Sequence, residues 1–421
     1  MSERPSSRSS REGPLGWLKR IAALPGTAIG YAIGKWKGLS KSHQMSADAV
    51  PLRLEQGAVE ELMAAWRRLE MTPAAPLQES FEPALIERIR GETSHWNRNN
   101  TTRTEAYRLV YVRQPELHWA MLAHLVSRNG GWNMTDLQGE WVPRLLSTEQ
   151  REDVFRFLER ANALIFQDAY PQLLLYEQSL REGRSLFHLL PAFGVSRFMR
   201  PVWERFWVRR DSPLLTTALI VNEQHYIEER VVKHPYFREN VVDTLFFGMQ
   251  SLLQLNAVCF PYGPPGEMRL AGLVIERFEH LKERIEFGKR LYALLFGIPA
   301  ILDGSHAFAS RIRHSGSRTD YAPQLFAKLR RNPPEKRYTE RLQGGRLLAG
   351  AAPLFSPELE AAWLDRPVEP AEQGDWFVSA ADVEKYFRKL PLPHTFEITN
   401  EYGLLLNKIE LAVLAAEQWK S

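Results

Sequence analysis

Residues 115–139, PELHWAMLAHLVSRNGGWNMTDLQG, constrain the fold more than any other stretch of the chain. Eight of the ten residues 117–126 are apolar, and Pro115 suits the first turn of a helix. A helix that is apolar on all sides is buried by the elements around it, because none of its faces favours contact with water. The stretch therefore predicts a helix in the interior of the protein.

The polar residues that follow predict a corner. Residues 129–131, Asn-Gly-Gly, tolerate positive φ and predict the end of the helix. Thr135 and Gln138 have the spacing of a capping box, which predicts that a second helix starts at once. Buried polar groups must be paired, so the corner over residues 128–136 is interpreted either as a structural network or as a ligand site.

Two histidines within the buried helix, His118 and His124, are six residues apart, which is about 120° around the helix axis. They cannot share one metal ion within the helix, and no metal site is predicted. In a ligand site, arginines would hold an anionic group, and a histidine–carboxylate pair could move protons. The candidate site residues are His118, His124, Ser127, Arg128, Asn129, Asn133, Asp136, Asn222, Glu229, His306, Arg318 and Asp320.

Helix signals are frequent along the chain and strand signals are sparse, which predicts an all-α fold with one large multi-helix domain. We expect a flexible basic arm over residues 1–45 and the main helical domain over residues 46–330. A linker-like segment over residues 331–375 and a small C-terminal helical unit over residues 376–421, packed on the main domain, should follow. The last helix is predicted over residues 400–419.

Capping signals predict several boundaries. Ser147 and Gln150 match a capping box and predict a helix start. That helix is predicted to end near Gln167, and Asp168 is predicted to cap the next helix. Residues 303–321, which are rich in His, Arg, Ser and Asp, are predicted to form a loop.

Two further long helices are predicted over residues 240–258 and 274–296. On the second helix, Glu276, His280 and Glu283 would share one face. Basic residues are interleaved with these acidic residues, so the pattern favours ordinary surface ion pairs over a metal site.

Basic residues are concentrated in two segments. The 421 residues carry a net charge of +4, but residues 1–43 carry eight Lys or Arg against two Glu, and residues 309–346 carry ten against three acidic residues. The remainder of the chain is therefore acidic. This pattern suggests contact with an anionic partner, such as a membrane surface, a nucleic acid or an acidic protein. The alternative is that both segments are simply solvated.

The N-terminal segment 17–37 combines apolar, aromatic and basic residues. Its apolar run, residues 21–34, is too short to span a bilayer, which needs about 20 apolar residues. Trp17, Tyr31 and Trp36 among lysines suit a membrane interface, and glycines spaced four apart predict a smooth helix face. An interfacial anchor, a flexible or partner-binding arm and a cleaved signal are the three interpretations.

Sequence signatures of common enzyme classes are missing. The chain has no Gly-rich phosphate loop, paired-Cys zinc pattern, His-Glu-x-x-His motif or Gly-x-Ser-x-Gly motif. No cofactor is predicted. The single cysteine, Cys259, excludes an internal disulfide and fits a reducing compartment, which predicts a cytoplasmic location.

Four long motifs lie within about residues 97–326: HWAMLAHLVSRNGGWNMTDL, NALIFQDAYPQLLLYE, ALIVNEQHYIEERVV and HSGSRTDYAPQLF. Together they resemble the YppC-like bacterial proteins, a Gram-positive, spore-former-associated family classed as a domain of unknown function. The resemblance implies no particular activity.

The sequence therefore favours a non-enzymatic or peripheral membrane-associated protein at the inner membrane face, with residues 17–37 in contact with an anionic membrane surface. The first alternative is an enzyme or binder of a small anionic ligand that uses the candidate site residues. The second is nucleic-acid binding through residues 309–346. It is disfavoured because that segment lacks the closely interleaved aromatic residues of a single-strand platform.

Overall fold

The computed structural model is predominantly helical, as predicted, with a few short strands. The structure describes residues 25–71, 82–244, 257–264, 266–331, 333 and 336–420. Residues 17–24 of the predicted membrane segment and residues 245–256 of one predicted helix lie outside this set.

The α-helices are α1 (Pro25–Ser46), α2 (Gln56–Glu70), α3 (Pro83–Trp96), α4 (Asn100–Arg113), α5 (His118–Asp136), α6 (Val142–Leu145), α7 (Thr148–Glu182), α8 (Met199–Arg209), α9 (Ser212–Ile227), α10 (Pro235–Phe237), α11 (Leu281–Gly297), α12 (Pro299–Arg311), α13 (Leu359–Ala362), α14 (Ala380–Glu384) and α15 (Thr399–Lys420). Tighter or wider helical turns cover Phe187–Phe193, Glu228–Val232, Arg238–Val242, Arg318–Asp320 and Lys385–Phe387. The strands are β1 (Ala257–Tyr262), β2 (Arg269–Val274), β3 (Phe326–Ala327), β4 (Leu342–Gln343), β5 (Arg346–Leu347) and β6 (Leu354–Phe355).

Helix α5 lies at the centre of the fold, as its apolar sequence predicted. Trp119, Met121 and Leu125 are buried, and α4, α7, α9 and α11 pack around the helix. The prediction that this helix ends at residues 129–131 is wrong, because α5 continues to Asp136.

Close packing explains why Gly131 stands inside α5. A Cβ at Gly131 would overlap the Asn100 side chain of α4 and the His314 ring, so only glycine fits there. The predicted capping box is wrong as well. Thr135 lies inside α5, and its hydroxyl donates to the carbonyl of Trp132 at 2.9 Å and to that of Gly316.

Helix α7 is one continuous helix of 35 residues, where two helices were predicted. Its start is confirmed, since Ser147 and Gln150 form the capping box. The predicted break at Gln167 and the cap at Asp168 are wrong. Asp168 is buried in the core, where Asn222 and Gln172 donate to its carboxylate, and Pro171 is accommodated inside the helix.

An antiparallel hairpin of β1 and β2 replaces parts of two predicted helices. Residues 257 and 258 belong to β1, and α11 begins only at Leu281, so both predicted boundaries are wrong. Five of the six residues of β1 and three of the six residues of β2 are buried, and a short buried apolar strand cannot be told from a buried helix segment by its sequence pattern. As a result, Glu276 and His280 lie outside α11 and do not share a helical face with Glu283.

The predicted loop over residues 303–321 is shorter than expected. Helix α12 includes Asp303 and His306, and the loop begins only at Ile312. No single helix in the described ranges is long and apolar enough to cross a membrane. Helices α11 and α12 reach the required length and composition only as a pair bent by 92°.

The two ends of the described chain pack together. Gly34 of α1 lies against Leu404 of α15, and the backbone N–H groups of Phe396 and Glu397 donate to the Ser42 hydroxyl, each at 3.0 Å. The predicted last helix is confirmed as α15. Residues 331–375, which were predicted to be linker-like, contain β4, β5, β6 and α13.

Candidate functional site

Arg318 ties the loop that follows α12 to the C-terminal end of α5. Its Nε donates to Asp136 Oδ2 at 2.7 Å, and its Nη2 donates to Asn133 Oδ1 at 3.1 Å. Its Nη1 reaches the hydroxyls of Tyr321 at 2.6 Å and Tyr402 at 3.1 Å. All three nitrogens of this buried side chain are therefore paired.

Burial and ion pairing shift the pKa values of Arg318 and Asp136 in opposite directions. Burial lowers the pKa of Arg318, but Asp136 and the two tyrosines outweigh it and hold that pKa well above its ordinary value. Burial also raises the pKa of Asp136, although Arg318 opposes the rise. A recess of about 30 Å³ beside this pair has room for water rather than for an organic substrate.

A second chain of polar contacts runs from the loop into α4. The His314 ring lies 3.2 Å from Asp320 Oδ2 through Nδ1 and 3.0 Å from Asn100 Oδ1 through Nε2. Asn100 Nδ2 donates to the carbonyl of Ser127 at 2.9 Å, and the Ser127 hydroxyl meets that of Thr104 at 2.7 Å. The loop, α4 and α5 are thus joined through buried groups.

The orientation of Asn100 determines what His314 faces. The Ser127 carbonyl can only accept, so it requires the amide nitrogen of Asn100 and turns the amide oxygen toward His314. Both ring nitrogens of His314 therefore face acceptors, and both contacts are hydrogen bonds only when the ring is doubly protonated. Burial opposes this by lowering the pKa of His314, while Asp320 raises it.

Arg128 and His124 lie next to this chain, one turn apart on α5. Arg128 Nη2 donates to the Ile312 carbonyl, and its guanidinium carbon lies 4.6 Å from the centre of the Phe308 ring. His124 Nδ1 lies 2.8 Å from the Thr104 carbonyl. Burial lowers the pKa of Arg128 to about 10, so the side chain stays charged at neutral pH.

Asn129 has a structural role. Its amide oxygen accepts from the backbone N–H of Cys259 at 2.8 Å, and its amide nitrogen donates to the Cys259 carbonyl at 2.9 Å. The side chain thereby pairs with β1 as a neighbouring strand would. Burial raises the pKa of the Cys259 thiol to about 12, so this thiol stays protonated at neutral pH.

The structure brings together two thirds of the candidate residues around the C-terminal half of α5. They are His124, Ser127, Arg128, Asn129, Asn133, Asp136, Arg318 and Asp320.

The other four candidates lie elsewhere. His118 contacts the Tyr292 hydroxyl at 2.9 Å, and Asn222 belongs to the Asp168 cluster. Glu229 is exposed and pairs with Lys233, and His306 is exposed on α12. These side chains are not part of the network around α5.

Asn100, Thr104 and Tyr402 complete the network but were absent from the predicted set. Asn100 and Thr104 stand in a polar run that is typical of a turn, and only the cap made by Asn99 converts that run into the start of α4. Tyr402 is more than eighty residues from Arg318 in sequence, and its sequence context carries no signal of the contact. Among the described residues, no group of three or more His, Cys, Asp or Glu side chains is placed to hold a metal ion.

The buried carboxyl of Asp168 and the partly buried carboxyl of Glu223 should make stability depend on pH. Burial raises the pKa of Asp168 to about 7 and that of Glu223 to about 8, whereas unfolded carboxyls titrate near 4. The folded protein therefore holds these protons over a range in which the unfolded chain releases them. Their stabilising effect is complete below about pH 4 and is lost as the pH rises through 7 and 8.

We expect Asp168→Asn/Glu223→Gln to reduce the difference in unfolding free energy between pH 5.5 and pH 8.5 by about 2 kcal/mol or more. Urea denaturation at the two pH values measures this difference. Glu239→Gln, at an exposed carboxyl, serves as the control and should leave the difference unchanged. If the double variant shows the same difference in unfolding free energy between the two pH values as the wild type, Asp168 and Glu223 do not cause the pH dependence.

Helix α1 presents a separate feature, an apolar outer face. Ile33, Trp36 and Leu39 are 50%, 70% and 46% exposed, whereas Gly34 faces α15 and Gly38 faces the backbone carbonyl of Glu397, just before α15. At about 100° per residue, the three apolar residues occupy an arc of about 120° that lies opposite the packed face. We call them the outer face of α1.

A cleft of about 590 Å³ lies between α7, α10 and residues 366–372. Its lining includes three arginines and three glutamates, which are Arg156, Arg160, Arg366, Glu159, Glu369 and Glu372. Arg160 already pairs with Glu369 at 2.9 Å and with Glu372 at 2.8 Å. The charges of the lining balance, so they do not select a ligand of either sign.

Fold and network together define a helical protein built around a buried central helix and an enclosed polar network. The chain belongs to the family described as "Protein of unknown function (DUF2515)", whose model matches residues 95–402. It is similar to "Uncharacterized protein YppC" of Bacillus subtilis (strain 168), with 38% identity over 336 residues, which cover 80% of this chain and 96% of that protein. The predicted YppC-like resemblance is thereby confirmed. No solved structure matches the chain.

Proposed function

We propose that this protein attaches peripherally to an anionic membrane surface, at the inner face of the cytoplasmic membrane, through the outer face of α1. The observation that carries the proposal is the exposure of Ile33, Trp36 and Leu39 directly opposite the packed face of the same helix. Three large apolar side chains on one side of a surface helix cost free energy in water and gain it when they enter the interfacial region of a bilayer.

The lysines of α1 favour an anionic surface over a neutral one. Lys37 lies on one flank of the outer face, and Lys35 lies near its other edge, at about 100° per residue. Each lysine near an anionic bilayer contributes about 1 kcal/mol. Together with partial insertion of three side chains, this supports weak and reversible attachment.

The second basic segment, residues 309–346, also favours attachment to an anionic surface. Gly345, between β4 and β5, lies against Gly403 of α15, next to the Leu404 that contacts α1. The exposed Arg346 therefore belongs to a turn that packs on α15, the helix that also contacts α1. Elsewhere in residues 309–346 the basic side chains are partly neutralised, since Arg318 pairs with Asp136, Arg341 with Glu140 and Lys328 with Glu358.

Flotation of the full-length protein with vesicles tests the proposal. We expect the wild type to float with phosphatidylcholine vesicles that contain phosphatidylserine, and to float less as salt is raised. Ile33→Ser/Trp36→Ser/Leu39→Ser should weaken binding at least tenfold, because it removes the inserted apolar area. Leu364→Ser, at a residue that is 86% exposed, is the matched control and should float like the wild type.

Equal flotation of the wild type and the triple variant would overturn the proposal. A different result would favour the basic segment 309–346 as a nucleic-acid surface. In that case the wild type and the triple variant are retained equally on DNA or RNA, and neither binds vesicles.

A further inference from the structure

The cleft between α7, α10 and residues 366–372 has the size of a small-molecule site. Its volume is about 590 Å³, and ligand pockets typically measure roughly 300–1,000 Å³. Phe237 lines the cleft and packs against Phe157 of α7, with ring centres 5.7 Å apart. Pro367 and Val368 line it from the segment 366–372. The walls therefore favour a ligand that carries apolar groups.

One end of the cleft carries two guanidinium groups. The Nη2 atoms of Arg156 and Arg366 lie 3.8 Å and 3.4 Å from the same oxygen, Glu152 Oε2. Arg156 Nη1 also donates to the Tyr236 hydroxyl at 3.3 Å, and that hydroxyl donates to Asp153 Oδ1 at 2.6 Å. Each guanidinium has five N–H groups, so this end keeps donors for the carboxylate of a ligand.

The other end of the cleft has the opposite arrangement, with two carboxylates around one guanidinium. Arg160 pairs with Glu369 at 2.9 Å and with Glu372 at 2.8 Å. The two glutamate side chains are 79% and 52% exposed, so they can also accept from an ammonium group of a ligand. Glu159, the third glutamate of the lining, is largely buried and pairs with Arg103.

Arg230 also lies at this end, but it acts from the interior. Its Nε, Nη1 and Nη2 donate to the backbone carbonyls of Glu372, Tyr226 and Gly374, at 3.1, 3.0 and 2.8 Å. These hydrogen bonds hold residues 372–374 in place. The guanidinium is therefore occupied by the backbone and leaves the two exposed glutamates to a ligand.

The distance between the two ends indicates the length of the ligand. Glu152 marks the arginine end on α7 and lies eight residues before Arg160, which is about 12 Å along the helix axis. Arg156 lies four residues before Arg160, which is about 6 Å. An extended peptide covers about 3.5 Å per residue, so about two or three residues span this interval.

We propose that this cleft binds a short peptide with free termini and apolar side chains. The peptide carboxylate accepts from Arg156 and Arg366, and its ammonium group donates to Glu369 and Glu372. A zwitterion has no net charge, which suits a lining whose own charges balance. The proposal does not depend on membrane attachment, because the cleft and the outer face of α1 share no residues.

Isothermal titration calorimetry of the full-length protein with trileucine tests the site. We expect trileucine to bind with a dissociation constant at least tenfold lower than those of two blocked forms. N-acetyl-trileucine lacks the ammonium group, and trileucine amide lacks the carboxylate, so each leaves one end of the cleft without its partner. The three titrations use the same buffer of low ionic strength, because salt screens partly exposed charges.

Two double variants separate the ends of the cleft. Arg156→Gln/Arg366→Gln should remove the preference for trileucine over its amide and keep the preference over the acetylated form. Glu369→Gln/Glu372→Gln should do the reverse. Arg200→Gln/Glu204→Gln, at an ion pair of α8 whose side chains are about half exposed, is the matched control and should leave all three dissociation constants unchanged.

Three results would overturn the proposal. One is a wild type that binds neither trileucine nor its blocked forms. Another is equal binding of the three peptides by the wild type. The third is a pair of double variants that lose the same preference, since each end of the cleft should recognise one terminus. If the glutamate variant shifts residues 366–372, the wild type and the arginine variant still decide between these outcomes.

Discussion

Gly131→Ala is expected to destabilise the protein by about 2–5 kcal/mol, although alanine normally favours a helix over glycine. A Cβ at this position would overlap Asn100 Oδ1 and Nε2 of His314, and it would lie 2.9 Å from Cε1 of the same ring. These are the atoms of the hydrogen bond that joins α4 to the loop after α12. The added methyl group must therefore separate the helices or break that buried hydrogen bond.

Gly130→Ala is the matched control, because it makes the same change one residue earlier in the same helix. The closest atoms to a Cβ there are those of the Asn162 amide, at 3.4 Å. We expect its unfolding free energy to stay within about 1 kcal/mol of the wild type, since the gain in helix propensity offsets the tighter contact. Urea denaturation of the two variants measures both values, and similar losses would contradict the packing explanation.

Arg318→Leu is expected to cost about 3–5 kcal/mol, because it leaves the carboxylate of Asp136 without its cation and removes the donor from Asn133 and two tyrosines. Asp136→Asn should cost a similar amount, since it leaves the Arg318 charge buried. Equilibrium unfolding measures both losses. The double variant Arg318→Leu/Asp136→Asn should lose less unfolding free energy than the sum of the two single losses, because neither an unpaired guanidinium nor an unpaired carboxylate then remains in the interior.

An exposed ion pair provides the comparison for this prediction. Arg238 and Asp243 are 3.0 Å apart, and each side chain is about half exposed. We expect Arg238→Gln to change the unfolding free energy by no more than about 1 kcal/mol, as is usual for surface pairs. A loss for Arg318→Leu that is no larger than this would show that the Arg318 cluster does not hold the loop to α5.

The candidate site could be predicted in part because several of its members are polar residues in an otherwise apolar context. Arg128 and Asp136 follow a run of eight apolar residues in ten, so they enter the interior with the helix that carries them. Their partners could not be predicted in the same way. The Arg318–Asp136 contact spans 182 residues, and local sequence patterns do not encode which distant segments meet.

The errors in the predicted elements have one common cause. Asn-Gly-Gly indicates a helix end and Asp168 indicates a cap when only local propensity is considered, but neither signal decides alone. Asn100 and His314 approach α5 so closely that glycine is required inside the helix. Asn222 gives Asp168 a buried partner, which removes its need to cap a helix end.

The sequence by itself determined that the protein is helical, that residues 117–126 are buried, where α7 starts and where the last helix lies. These features depend on apolar periodicity and on caps that act within a few residues. Only the tertiary structure decided that α5 and α7 continue without a break, that β1 and β2 form a hairpin, and that Arg318 meets Asp136. Those outcomes depend on contacts between distant segments, whose packing and buried hydrogen bonds outweigh local preference by several kcal/mol.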